Sequence, residues 1–131
     1  MSSVVDSSVL VAALVDSGPT GTWAEQVLAG GSLCAPELAK VEAMNIIRRL
    51  ERSKQIPVAG ANLDVHALGQ LEIELFPFEP FARRVWEFRH AVTCYDAWYV
   101  ALAEATNLPL ATLDHRLARA NGPACKFLMP R

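Results

Sequence analysis

The stretch VVDSSVLVAALVD (4–16) sets one acid, Asp6, between a short β-branched run and a longer apolar run. A carboxylate stripped of water costs roughly several kcal/mol unless donors or a cation compensate it. Asp6 therefore either ends a buried strand and caps the following helix, or binds a cation. The first reading already sets a fold class. A strand over Ser3–Val5 that ends at Asp6, followed by a helix over Ser7–Val15, is the opening of an alternating α/β chain.

The rest of the sequence repeats this alternation. Gly18-Pro19 breaks the chain, Thr22–Ala29 is helical, and Gly30-Gly31 stops it. Ser32–Ala35 is a second short strand. Pro36 is expected to open a long helix through about Ser53, since proline suits a first turn. Val58–Gln70 has a weaker helical pattern. Ile73–Phe76 reads as a third strand, followed by the turn-like FPFEP (76–80). Phe81–His90 and Cys94–Thr106 are helices, Leu108–Thr112 a strand, His115–Ala120 a helix, and Lys126–Leu128 a last edge strand. Strands separated by helices imply a mainly parallel sheet covered on both faces, a three-layer α/β/α arrangement. Ligands of such sheets sit beyond the carboxyl ends of the strands. Asp6 and Asp114 fall at such ends.

Composition narrows the function classes. The chain has 131 residues, enough for one domain with a substantial core and too few for two. With 52% hydrophobic residues it is globular rather than disordered. A net charge of −2 excludes a broad basic face, so any contact with nucleic acid must be local. Cys34, Cys94 and Cys125 are scattered with no CxxC, which suits reduced thiols in a cytoplasmic protein and not a zinc site. The apolar run Val9–Val15 is too short for a bilayer, which needs about 20 residues, so no membrane association is expected.

Three further acids stand in comparable settings. Glu42 lies mid-helix in PELAKVEAMNIIRRL (36–50), on a stripe with Leu38, Ile46 and Leu50 that looks like the core face. A mid-helix acid cannot be a cap, and no ideal i+4 basic partner exists; the bland reading is a partly exposed side chain near an arginine. Asp96, in TCYDAWYVALAE (93–104), stands three residues after Thr93, a spacing that resembles a capping box. The apolar residues that follow it mark a central helix with a buried start. Asp114, in LPLATLDHRLARA (108–120), again joins strand to helix and reads as an N-cap; Thr112, two residues earlier, could donate a hydroxyl hydrogen bond that orients a carboxylate.

Singly, each acid has a structural explanation. Jointly, four carboxylates at one end of a parallel sheet would raise each other's pKa values without a cation. Oxygen-only ligands select hard ions, Mg²⁺ or Mn²⁺. Such a site polarises phosphates and activates water, so phosphodiester chemistry is expected.

At this point the sequence resembles the PIN-domain family, and within it the VapC-type toxin ribonucleases. The carriers are VVDSSVLVAAL, PELAKVEAMNIIRRL, TCYDAWYVALAE and LATLDHRLA, in that order and over nearly the whole chain. The resemblance implies a single PIN domain over 1–131, with an acidic pocket of Asp6, Glu42, Asp96 and Asp114. Asp6 and Asp96 match the positions in direct metal contact; Glu42 and Asp114 match those that complete the pocket, directly or through water. Ser8 and Thr112 match its supporting hydroxyls. The resemblance further implies Mg²⁺- or Mn²⁺-dependent cleavage of RNA, a cognate antitoxin as partner, and a homodimer. Nothing is carried over onto Gln55–Glu79.

Arg48, Arg49, Arg52, Arg116 and Arg119 are candidate phosphate contacts, or else solvated charges. His66, His90 and His115 lack metal-ligand spacing. Trp23, Trp86 and Trp98 read as packing residues, and Tyr95 and Tyr99, which bracket Asp96, as packing residues or base-stacking platforms. Two other readings fit an acid-lined parallel sheet. A phospho-acceptor signalling domain would have paired early acids, which are missing here; a non-catalytic RNA-binding or scaffold module would not need an intact acid set.

Overall fold

The computed structural model describes residues 1–131. Its five strands are β1 (Ser3–Val5), β2 (Leu33–Pro36), β3 (Glu74–Phe76), β4 (Leu110–Ala111) and β5 (Phe127–Leu128). Its helices are α1 (Ser7–Val15), α2 (Pro19–Ala29), α3 (Ala39–Arg52), α4 (Val58–Gln70), α5 (Ala82–Glu87), α6 (Cys94–Thr106) and α7 (His115–Ala118), with a 3₁₀ turn at Glu79–Phe81.

The sheet runs in the order β3-β2-β1-β4-β5 and every ladder is parallel. The chain builds outward from β1 to β3, then crosses back to the other side of β1 for β4 and β5. Right-handed crossovers in opposite directions put the intervening helices on opposite faces. α1 accordingly packs on α2, α3 and α4, while α6 packs on α5 and across β1, β2 and β4. The expected three-layer α/β/α arrangement is what forms. β1 is the central strand and wholly buried between the two helical layers, with Val4 and Val5 in the core and Ser3 the one polar residue. The order reverses between β1 and β4, which opens a crevice at their carboxyl ends.

Local chemistry explains where elements begin and end. α2 starts at Pro19, three residues before the expected Thr22, because proline fits the first helical turn. A Cβ on Gly21 would lie 1.7 Å from the Asp16 carbonyl oxygen, so the tight α1–α2 corner requires glycine there. α6 ends on Asn107 in the left-handed region, with φ 55° and ψ 36°.

Pro36 does not open a helix. It is the last residue of β2, paired with Phe76 of β3, and α3 begins at Ala39. Pairing of β2 with β1 ends at Cys34, so the missing proline N–H falls beyond that ladder. The core stripe of α3 is also displaced from the expected one. It is Ala39, Ala43 and Ile47 that are buried, whereas Leu38 is exposed and Ile46 and Leu50 are half-buried. Glu42 thus stands at the border of the packed face, where a carboxylate can keep part of its hydration. α5 is shorter than Phe81–His90, since Phe81 belongs to the 3₁₀ turn and the helix closes at Phe88. Cys34, Cys94 and Cys125 are all free thiols.

Arg84 ties the α5–α6 layer to the C-terminal loop. Its guanidinium holds Glu104 in two bonds, Nε to Oε1 at 2.8 Å and Nη2 to Oε2 at 3.1 Å. Glu104 also accepts the Ala124 N–H at 2.7 Å. These donors outweigh partial burial and hold the Glu104 carboxyl below its ordinary range.

Candidate active site

Asp6 sits where β1 stops, and it is both a cap and a buried carboxylate. Oδ1 accepts the N–H groups of Ser8 at 2.9 Å and Val9 at 3.3 Å, and the Ser8 hydroxyl. Oδ2 accepts the Thr112 hydroxyl. Asp6 is 7% exposed and Thr112 fully buried. The Ser8 hydroxyl in turn accepts the Leu113 N–H at 3.2 Å, and the Thr112 hydroxyl accepts the Asp114 N–H at 3.0 Å. These bonds stitch the β1–α1 turn to the β4–α7 turn across the switch point. Thr112 therefore orients a carboxylate as expected, and the carboxylate is that of Asp6 across the switch point. Burial pushes the Asp6 carboxyl above its ordinary range, against the lowering effect of its donors.

The other three acids extend from Asp6 as a row. Glu42, on α3, accepts the Tyr99 hydroxyl on Oε1 at 2.6 Å. Partial burial raises its carboxyl, opposed by that hydrogen bond and reinforced by the negative charges of Asp96 and Asp6. Asp96 is raised by desolvation and by Asp114, while its own N–H is capped by the Thr93 hydroxyl at 3.2 Å. Asp114 caps α7, accepting the N–H groups of Arg116 at 2.9 Å and Leu117 at 3.1 Å. Each carboxylate thus lies within the field of the next, in the order Asp6, Glu42, Asp96, Asp114. None is ion-paired, for the two salt bridges of the molecule both belong to Arg84. As the side chains stand, no three of the histidine, cysteine, aspartate and glutamate groups come close enough together to share one metal ion.

A cleft of about 500 Å³ opens over the outer end of the row, lined by Asp96, Asp114 and Thr93 together with the basic side chains Arg89, His90 and Arg116. Arg119 lines the adjoining depression together with His90. Arg48, Arg49 and Arg52 line neither. They are exposed 6–10 residues beyond Glu42, about 9–15 Å further along the α3 axis at 1.5 Å per residue. Arg89 is a cleft residue outside the candidate arginines; its signal in the sequence is the basic pair Arg89-His90 just upstream of the TCYD turn. Tyr99 is 2% exposed and cannot stack on a base, whereas Tyr95 is 61% exposed and borders an apolar groove with Leu38, Phe78 and Trp98.

A family model for the PIN domain matches residues 3–123. The chain belongs to the PIN-domain family. This PIN-domain chain is 36% identical to ribonuclease VapC1 of Mycobacterium tuberculosis over 129 residues, which cover 98% of it and 97% of the relative. It is 34% identical to ribonuclease VapC9 of the same organism, with 98% of each covered. Among solved structures, VapBC2 from Rickettsia felis bound to a promoter DNA fragment superimposes with a TM-score of 0.66 at 12% identity, over 98% of both chains. At that identity the likeness speaks for the PIN fold alone. No helix of the PIN-domain chain is long and apolar enough to cross a membrane.

Proposed function

We propose that this PIN-domain chain is an endoribonuclease toxin that cuts cellular RNA with Mg²⁺ or Mn²⁺ and is neutralised by a cognate antitoxin. The observation that carries the reading is the row of four acids at the switch point, without a single cationic partner, with burial holding the carboxyls of Asp6, Glu42 and Asp96 above their ordinary range. A structure that holds uncompensated carboxylates beside one another is built for a ligand that supplies positive charge. The donor set is all oxygen, which fits a hard divalent ion. The names of the curated relatives supply the substrate class, and the antitoxin partner is what the VapC-type resemblance implies.

Asp6 and Asp96 would hold the ion, with Glu42 and Asp114 completing its surroundings directly or through water. When bound, the ion supplies Lewis acidity toward a phosphoryl oxygen and lowers the pKa of water. The chain's own groups do the positioning. Ser8 and Thr112 fix the orientation of Asp6 by hydrogen bonds to its two oxygens. Asp96 and Asp114 are half-exposed and so reachable from the cleft. Arg116 and Arg89, which line the same cleft as Asp114 and Asp96, would grip phosphates flanking the scissile one. The protein works in the cytoplasm as a homodimer in this reading.

The test is RNA cleavage by the purified protein. Cleavage is expected with Mg²⁺ or Mn²⁺, abolished by EDTA and restored by adding back the metal. Cleavage that continues undiminished in EDTA would refute metal dependence. A stable phospho-adduct with a small phosphoryl donor, and no cleavage, would favour the signalling-domain reading instead. Light scattering of the purified protein checks the dimer.

A further inference from the structure

Tyr99 is a buried phenol with its hydroxyl at the acidic row. It lies one helical turn after Asp96 on α6, and its hydroxyl crosses to α3 to donate to Oε1 of Glu42 at 2.6 Å. A phenylalanine would fill the same space. A buried tyrosine hydroxyl finds a partner, and here the partner is a carboxylate of the acidic row rather than a backbone carbonyl.

The consequence for Glu42 follows from its surroundings. The side chain has three rotatable bonds, is half-buried, and has no salt bridge to hold it. Its neighbours in the row, Asp6 and Asp96, repel it. Without an anchor, repulsion and side-chain entropy both favour rotation toward solvent. The bond from Tyr99 opposes this and occupies one oxygen only; Oε2 accepts no hydrogen bond. Because Tyr99 and Asp96 share one helix, α6 both contributes a carboxylate and fixes the one on α3.

We infer that Tyr99 is a positioning residue: its hydroxyl pins Glu42 in the row and leaves Oε2 available to a divalent cation. The inference rests on the metal-dependent reading above. A hydrogen-bond partner of a metal ligand typically contributes 10–100-fold in metal affinity.

The experiment is Mn²⁺ titration of the full-length, metal-free protein, followed by the paramagnetic signal of free Mn²⁺. It compares wild type, Tyr99→Phe, Glu42→Gln, the double variant and Asp96→Asn. Tyr99→Phe is expected to weaken Mn²⁺ binding about tenfold or more. In the Glu42→Gln background the same substitution is expected to change affinity less than about twofold, because the two residues act as one unit. Affinity in Tyr99→Phe equal to or tighter than wild type overturns the inference, as does an equal loss in both backgrounds. If Tyr99→Phe also lowers thermal stability, RNA cleavage against Mn²⁺ concentration decides. A defect recovered at saturating Mn²⁺ supports positioning, and one that persists there overturns it. Wild-type affinity in both Glu42→Gln and Asp96→Asn would remove the metal reading itself, and this inference with it.

Discussion

The hydroxyl of Thr112 donates to Oδ2 of Asp6, joining the ends of β4 and β1 between residues 106 positions apart. Thr112 is fully buried, so this bond is shielded from water. Replacing Thr112 by valine keeps the shape and removes the hydroxyl. Oδ2 of Asp6 then loses its donor and the Asp114 N–H its acceptor. The expected outcome is a loss of about 1–3 kcal/mol in urea unfolding, since a buried polar group is left unsatisfied. A valine variant as stable as wild type would mean that water or another donor replaces the bond.

The acidic row gives a pH dependence whose sign can be worked out. The carboxyls of Asp6, Glu42 and Asp96 all lie above their ordinary values in the folded protein. The folded state therefore binds protons more tightly than the unfolded chain. This contribution is fully present below the unfolded values of 3.8 and 4.5 and is lost as pH rises through the raised folded ones. Glu42→Gln removes one member of the set while keeping an oxygen for Tyr99 to donate to. Without divalent ions, the variant is expected to be more stable than wild type near neutral pH, by about 0.5–2 kcal/mol, with a flatter slope. Urea titrations in EDTA at about pH 5 and pH 7.5 measure both. A variant less stable than wild type at the higher pH would contradict the repulsion.

Arg116 and Arg48 separate cleft contacts from solvated charge. Arg116 lines the cleft together with Asp114, whereas Arg48 is exposed on α3 and does not line it. Charge reversal at Arg116 is expected to weaken RNA binding and reduce the slope of log affinity against log salt by about 0.7 or more for a single strand. Reversal at Arg48 is expected to leave the slope unchanged. Filter binding of RNA to both variants across a salt series distinguishes them, and equal effects would dissolve the distinction.

Much of this architecture was legible in the sequence, and the exceptions have physical causes. Asp6 and Asp114 each follow a short apolar run and precede a helix, so their strand-end positions could be read from patterning alone. Pro36 misled because proline suits both a helix start and the end of a strand; only the pairing of β2 with β3, a long-range fact, decides between them. The stripe containing Glu42 misled because Ala39 and Ala43 carry little hydrophobic signal, yet small side chains are what lets α3 pack closely. Thr112 was singled out, but its partner is 106 residues away in sequence and not the neighbouring acid. The bond from Tyr99 to Glu42 spans 57 positions and has no local signature at all.

Asp6→Asn and Asp96→Asn test most directly whether the acids cut RNA. Asparagine can cap α1 in place of Asp6, with the Thr112 hydroxyl turning to accept where it now donates, and α6 keeps its Thr93 cap when Asp96 is replaced, so the fold is expected to survive in both. RNA cleavage should be measured beside thermal unfolding on the same preparations. The expected result is cleavage reduced at least about 100-fold, beyond what loss of a supporting hydrogen bond brings, with the unfolding transition still cooperative. Cleavage at the wild-type rate by both folded variants would contradict the assignment of the acidic row as the catalytic centre.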